Sequence, residues 1–152
     1  MMKKKVKKPS LTKLKKTLWD LCKTIIRTRD GSECVICGAK NLAGGNWQTG
    51  HFIPSSTCGS FLRYDIRNLH SNCMRCNIIC GGNGALYYRA LVSKYGEQFV
   101  DGIFKDKGTY VKADVLFYEE KIKLYKEISC WESDKLLDYT RILGGQTTKG
   151  LM

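Results

Sequence analysis

The 152 residues contain no apolar run long enough to span a membrane, which takes about 20. No apolar stretch follows the basic N-terminus either, so no secretory signal is expected. That lack sets the reading of the eight cysteines. In a short secreted chain they would form a disulfide scaffold. Without export, cysteines in C-x-x-C pairs read as metal or redox groups in a reducing compartment. Acids are scarce where bases are dense: residues 1–29 hold eleven Lys/Arg against Asp20 alone. Histidine is scarce throughout, with only His51 and His70. No internal repeat is visible, and the length suits one domain with a modest core.

The net charge is +12, and it is unevenly spread. Residues 97–152 carry nine basic and ten acidic side chains, so the surplus lies toward the N-terminus. A basic arm of this kind binds polyanions, most often nucleic acid. The plainer reading is a solvated tail that aids solubility.

Residues 1–9 read as a disordered basic tail, 10–130 as a single domain, and 131–152 as a C-terminal tail. Ser10 is placed to cap a helix over 11–29, where Leu14, Leu18, Cys22 and Ile25 recur at helical spacing. Strand content at 47–53 puts His51 on a strand or at its end. A second short strand is expected at 61–64. Further helices are expected to start near Asn77 and to cover 85–95, 97–104 and 112–130.

Cys34-x-x-Cys37 and Cys73-x-x-Cys76 are the most informative motif. Four thiolates in two such pairs make a closed, structural tetrahedral zinc site. The 35 residues between them exceed a simple zinc ribbon and leave room for a hairpin carrying His51. A lone histidine is more often structural than catalytic. Here an asparagine, Asn77, directly follows the second pair. A neutral imidazole suits the activation of water, and an amide oxygen suits a hard cation such as Mg2+ or Mn2+. Together these point to phosphodiester hydrolysis.

These residues, with Trp19…Ile26-Arg27…Arg29-Asp30, Trp47-x-x-Gly50-His51-Phe52, Arg63-Tyr64-Asp65-x-Arg67-Asn68-x-His70, Gly82-Asn83 and Lys94-Tyr95-Gly96, resemble the phage NinG (Rap) family of HNH, or ββα-metal, endonucleases. The likeness covers roughly residues 18–104. It implies a zinc-stapled ββα fold and cleavage of branched DNA, such as Holliday junctions and D-loops, during phage recombination. It casts His51 as general base, Asn68 as the residue fixing the histidine-bearing loop, and Asn77 as catalytic-metal ligand. Many HNH proteins carry an acid just before the histidine, where this chain has Gly50. Asp65 is then a candidate metal ligand, although a turn-forming role suits it better. His70 reads first as a packing residue and second as a ligand.

The sequence therefore predicts an α+β fold: a zinc-stapled ββα-metal nuclease core flanked by helices. The expected cofactors are one structural Zn2+ and a catalytic Mg2+ or Mn2+. The expected partner is branched DNA in the cytoplasm of a phage-infected host, with a homodimer to supply two paired cuts. Phosphate contacts are expected from Lys3, Lys4, Lys5, Lys7, Lys8, Lys13, Lys15, Lys16, Arg27 and Arg29 on the arm, and from Arg63, Arg67, Arg75 and Arg89 near the centre. The rival readings are a non-catalytic zinc-finger DNA-binding protein, or an HNH nuclease acting on other DNA or on RNA.

Overall fold

The computed structural model describes residues 7–145. Lys3, Lys4 and Lys5 of the expected arm lie outside that span. Lys7 and Lys8 are exposed and precede the first helix, α1 (Leu11–Asp30). The Ser10 side chain accepts a bond from the Lys13 N–H, satisfying one of the free donors at the helix start. Leu14, Leu18, Cys22, Ile25 and Ile26 fall on one buried face, as their spacing predicts. Gly31, at φ 68°, ends the helix.

A helical core forms on that face. Tyr118, Ile122, Tyr125 and Ile128 of α5 (Val115–Ile128) pack against α1, with Leu136 of α6 (Ser133–Leu143). The sequence reading of 131–152 as a tail is corrected here, because 133–143 is a helix. Leu136 and Thr140 are buried, and Ser133 Oγ donates to the Arg29 carbonyl. Residues 146–152 lie outside the described span.

A small antiparallel sheet of β1 (Gln48–His51) and β2 (Leu69–Asn72) packs against α1. Gln48 pairs with Asn72, Thr49 with Ser71, Gly50 with His70, and His51 with Leu69. The expected strand at 61–64 is instead a short helix, α2 (Gly59–Arg63). A brief run such as Phe61-Leu62 does not separate the two periods. Leu62 alone faces inward, and the true second strand is the polar stretch after Asn68.

The chain leaves β2 through Cys73 and makes a single π-type turn at Arg75–Ile79. It then enters α3 (Gly84–Tyr95) and α4 (Glu97–Asp106). Tyr87, Leu91 and Tyr95 of α3 with Phe99, Val100 and Ile103 of α4 form a second core, which also holds Phe52, Ile53, Cys58 and Leu62 from the β1–β2 connection. The product is a mixed α+β fold, mainly helical, with one two-stranded sheet. No described helix is long and apolar enough to cross a membrane.

Candidate metal centre and histidine cleft

The Sγ atoms of Cys34, Cys37, Cys73 and Cys76 all lie within 4.8 Å of one another. Cys37 and Cys73 are 3.8 Å apart. A tetrahedron with metal–sulfur bonds of about 2.3 Å has edges of about 3.8 Å, so the set fits zinc. The first knuckle is shaped by its own backbone: Gly38 N–H donates to Cys34 O at 2.9 Å, and Gly38 sits at φ 73°, which favours glycine. In the second, Cys76 N–H donates to Cys73 Sγ at 3.4 Å. Leu42, Ile36 and Trp47 pack around the sulfurs. These four residues can hold a metal ion such as zinc.

His51 ends β1 and is half-buried. Its Nε2 lies 2.9 Å from the Arg63 carbonyl. A carbonyl only accepts, so Nε2 carries the proton and Nδ1 is left as the ring's basic nitrogen. Trp19 of α1 stacks on the ring, 5.4 Å between centroids and 3° from parallel. Burial pushes the imidazole pKa down. The bond to the Arg63 carbonyl opposes this, and the Arg63 charge adds to it. The net shift is downward, which keeps the ring neutral and proton-accepting near pH 7.

Asn68 is fully buried behind this histidine. Its Oδ1 accepts from Ile53 N–H at 2.7 Å, and its Nδ2 donates to the carbonyls of Ile53 (3.1 Å) and Leu62 (3.2 Å). One side chain thus clamps both ends of the loop leaving His51. Asn77 lies on the turn after Cys76, and its Nδ2 donates to Gln48 Oε1 at 2.8 Å. The Nδ2 bond leaves Oδ1 turned toward Gly50. A cleft of about 250 Å³ joins Gly50, His51, Ser55, Asn77 and Gly82. Two of the three expected catalytic side chains therefore share a cleft, and the third holds its wall.

Asp65 does not join them. It caps the turn Ile66–Asn68 through the Arg67 N–H, and both its oxygens are taken by the Arg67 guanidinium. A carboxylate so engaged and buried is no cation ligand, and the Asp65 expectation is corrected on that ground. Arg67 is corrected with it: it is buried and also pairs with Asp106 at 2.7 Å. Arg29 is likewise no phosphate contact. Its guanidinium is fully buried, pairs with Asp30, and donates to Ile66 O, Leu69 O and Thr140 Oγ1. Burial disfavours the Asp30 charge, but Arg29 outweighs it and holds that carboxyl below its usual range. Arg63, Arg75 and Arg89 are exposed, as are Lys13, Lys15 and Lys16. Arg27 is exposed but tied to Trp47 through ring and carbonyl.

His70 is interior. Tyr87 Oη donates to Gly50 O at 3.1 Å, so at its 3.1 Å contact with His70 Nδ1 it accepts, and His70 carries its proton there. This relay pins Gly50 from below. Trp19, Tyr87, Gln48 and Asn72 are site neighbours that sequence reasoning did not assign. Trp19 was visible only as one residue of the family resemblance.

The fold and site together define a mixed α+β domain with a four-cysteine metal site beside a histidine cleft. A family model described as "Bacteriophage Lambda NinG protein" matches residues 1–130, and the chain belongs to that family. Similar relatives include "Protein ninG" of Escherichia phage lambda, 31% identical over 105 residues (64% of this chain, 50% of that protein). The Salmonella phage P22 protein of the same name is 32% identical over 105 residues, with the same shares. That of Escherichia phage 933W is 35% identical over 79 residues (51% of this chain, 38% of that protein). The chain spans half the length, or less, of these curated relatives. No solved structure matches it significantly.

Proposed function

We propose that this chain is an HNH-type endonuclease, a zinc-stapled ββα nuclease that cuts branched DNA formed during phage recombination in the host cytoplasm. One observation carries the reading: His51, its Nε2 proton committed to a backbone carbonyl, shares a cleft with the Asn77 amide beside a four-cysteine staple. The order β1, β2, cysteine pair, asparagine and α3 supports the ββα assignment.

In this mechanism a water molecule gives its proton to His51 Nδ1 as its oxygen attacks phosphorus, and the P–O bond to the leaving oxygen breaks. Asn68 keeps the His51 loop from shifting as charge develops. A divalent ion such as Mg2+ or Mn2+, held in part by Asn77 Oδ1, would stabilise charge on the phosphate and the leaving oxygen. The net positive charge and the exposed Arg63, Arg75 and Arg89 suit phosphate contact. Among the described residues no element marks itself as a base reader, which suits selection by DNA shape. Paired cuts at a junction call for a homodimer.

A second reading has one observation in its favour: among the described residues, no acidic side chain lines the cleft. A zinc-stapled DNA-binding protein without catalysis would need none. The test is incubation of the zinc-loaded protein with end-labelled four-way, D-loop and linear DNA and with single-stranded RNA, in Mg2+ or Mn2+ and in chelator. Metal-dependent cuts in branched DNA are expected. Binding without cutting would favour the non-catalytic reading, and cuts in RNA alone would overturn the substrate.

A further inference from the structure

We propose that Ile78 and Ile79 form a rigid apolar wedge that enters the open base step at a branch point and so selects branched DNA over continuous duplex. This role deepens the nuclease reading and rests on it. Ile78 is 61% exposed and Ile79 74%. Single exposed aliphatic residues are common on protein surfaces. These two are consecutive, and the chain on either side of them, Asn77 before and Gly81 and Gly82 after, lines the cleft that holds His51. The turn that carries them is firmly held. Cys76, one of the four clustered thiols, is buried at its base. Cys80 N–H donates to Arg75 O at 2.8 Å, Gly81 N–H to Ile78 O at 3.1 Å, and Gly82 N–H to Cys76 O at 3.0 Å, so the backbone closes on itself around the pair. Both side chains are β-branched and have little rotamer freedom to lose on insertion. In water they contribute nothing to the fold, whereas a partner that covers them gains their burial.

The surrounding charge favours one partner. From Ile66 to Gly96 the chain holds Arg67, Arg75, Arg89 and Lys94 and no acid. Arg67 is spent on Asp65 and Asp106, and Lys94 on Asp30. Arg75, three residues before Ile78, is exposed, as is Arg89 on α3. Arg63 adjoins His51 in a neighbouring groove. An apolar tip with free cations around it complements nucleic acid, which carries its phosphates outside and its bases within. A continuous duplex admits such a wedge only after a base step is unstacked, at a cost in free energy. At a branch point the stack is already interrupted, so the wedge enters there first. A second copy of this chain is the competing occupant, but it would bring a surface of the same net charge, +12, against the pair.

The test is binding by zinc-loaded protein without Mg2+ or Mn2+, so that no DNA is cut. The probes are a four-way junction with 2-aminopurine at the crossing and a linear duplex of the same arm sequence. Native protein is expected to prefer the junction and to raise the 2-aminopurine emission as the base unstacks. Ile78→Ser with Ile79→Ser should lower junction affinity about tenfold or more, keep duplex affinity within about twofold, and lose the emission rise. Ile78→Leu with Ile79→Leu should keep both the preference and the signal. Zinc content and circular dichroism check the fold. Should the double serine variant lose zinc, Ile79→Ser alone replaces it, with a smaller loss confined to the junction expected. Equal loss on both DNAs, or no loss, would overturn the proposal. So would a native dimer that the serine variant turns into monomers in sedimentation, which would assign the pair to a contact between copies. If native protein gives the junction preference and emission rise but cuts no DNA in Mg2+ or Mn2+, the nuclease reading falls and the wedge stands. If it cuts junctions while the serine variant keeps native selectivity, the wedge falls and the nuclease stands.

Discussion

The cysteine knuckle and the core of α1, α5 and α6 are held by different physics. The helical core gathers thirteen buried residues, among them Leu18, Ile25, Ile128 and Leu136. Each buried side chain of that size contributes roughly 1.5–3 kcal/mol. The knuckle cluster has Leu42 as its one buried aliphatic side chain, with Ile36 and Trp47 alongside three of the cysteines. Apolar burial cannot hold it, whereas a structural zinc site supplies on the order of 10 kcal/mol. His51 and Asn77 lie on the strand and turn that the knuckle closes. The candidate chemistry thus sits on the metal-dependent half, and the helices form the platform.

Removing the metal breaks the comparison most sharply. Cys34→Ala, or a strong chelator, should abolish the folded β1–β2 region and soluble protein, read by elemental zinc and hydrogen exchange. Cys130→Ala, at an exposed position, should change stability by no more than about 0.5 kcal/mol. Soluble, folded Cys34→Ala protein without zinc would show that the knuckle holds itself.

The next effect belongs to the seam between the halves. Arg29 reaches from α1 to the carbonyls of Ile66 and Leu69 and pairs with Asp30, and Asp30 Oδ2 accepts the Ser71 N–H. Arg29→Ala leaves Asp30 charged and buried, which should cost about 3–5 kcal/mol in denaturant unfolding. A loss below about 1 kcal/mol would place the seam elsewhere.

A smaller effect is set by pH. Burial pushes the His70 pKa well below its ordinary value, aided by the Arg29 and Lys94 charges and opposed by Asp30. Below about pH 6.5 the unfolded chain takes up a proton that the folded chain refuses. Stability should therefore hold above that pH and decline as pH falls through it. Unfolding at pH 7.5 and 5.5 reads this, and His70→Asn should flatten the difference.

The smallest effect on fold is expected from the arm. Deleting residues 1–9 removes five lysines, and the described residues among the nine, 7–9, are exposed. DNA affinity should weaken across all sequences and its salt dependence should flatten. An unchanged salt slope would show that the arm does not touch DNA.

The knuckle was legible in the sequence because C-x-x-C spacing carries its own geometry. α1 was legible because Leu14, Leu18 and Cys22 keep strict period. β2 was not, since Leu-His-Ser-Asn has no apolar alternation: its burial comes from packing between knuckle and helices. α6 was hidden by its charges, although Leu136 and Thr140 share a face and Gly144 follows the helix. Arg29 and Arg67, expected as phosphate contacts, are buried instead. Their signal was the acid close by, Asp30 and Asp65, which lets an arginine be buried in an ion pair.

The most direct measurement is the single-turnover cleavage rate of His51→Ala against native protein on a four-way junction. Both are zinc-loaded, in saturating Mg2+ or Mn2+, with DNA binding measured in parallel. His51 contacts Trp19 and one carbonyl but carries no core load. The variant should therefore bind one zinc and the junction like native protein, and cut it at least 100-fold more slowly. Equal cleavage rates would contradict the assignment of His51 as the base and the nuclease mechanism built on it.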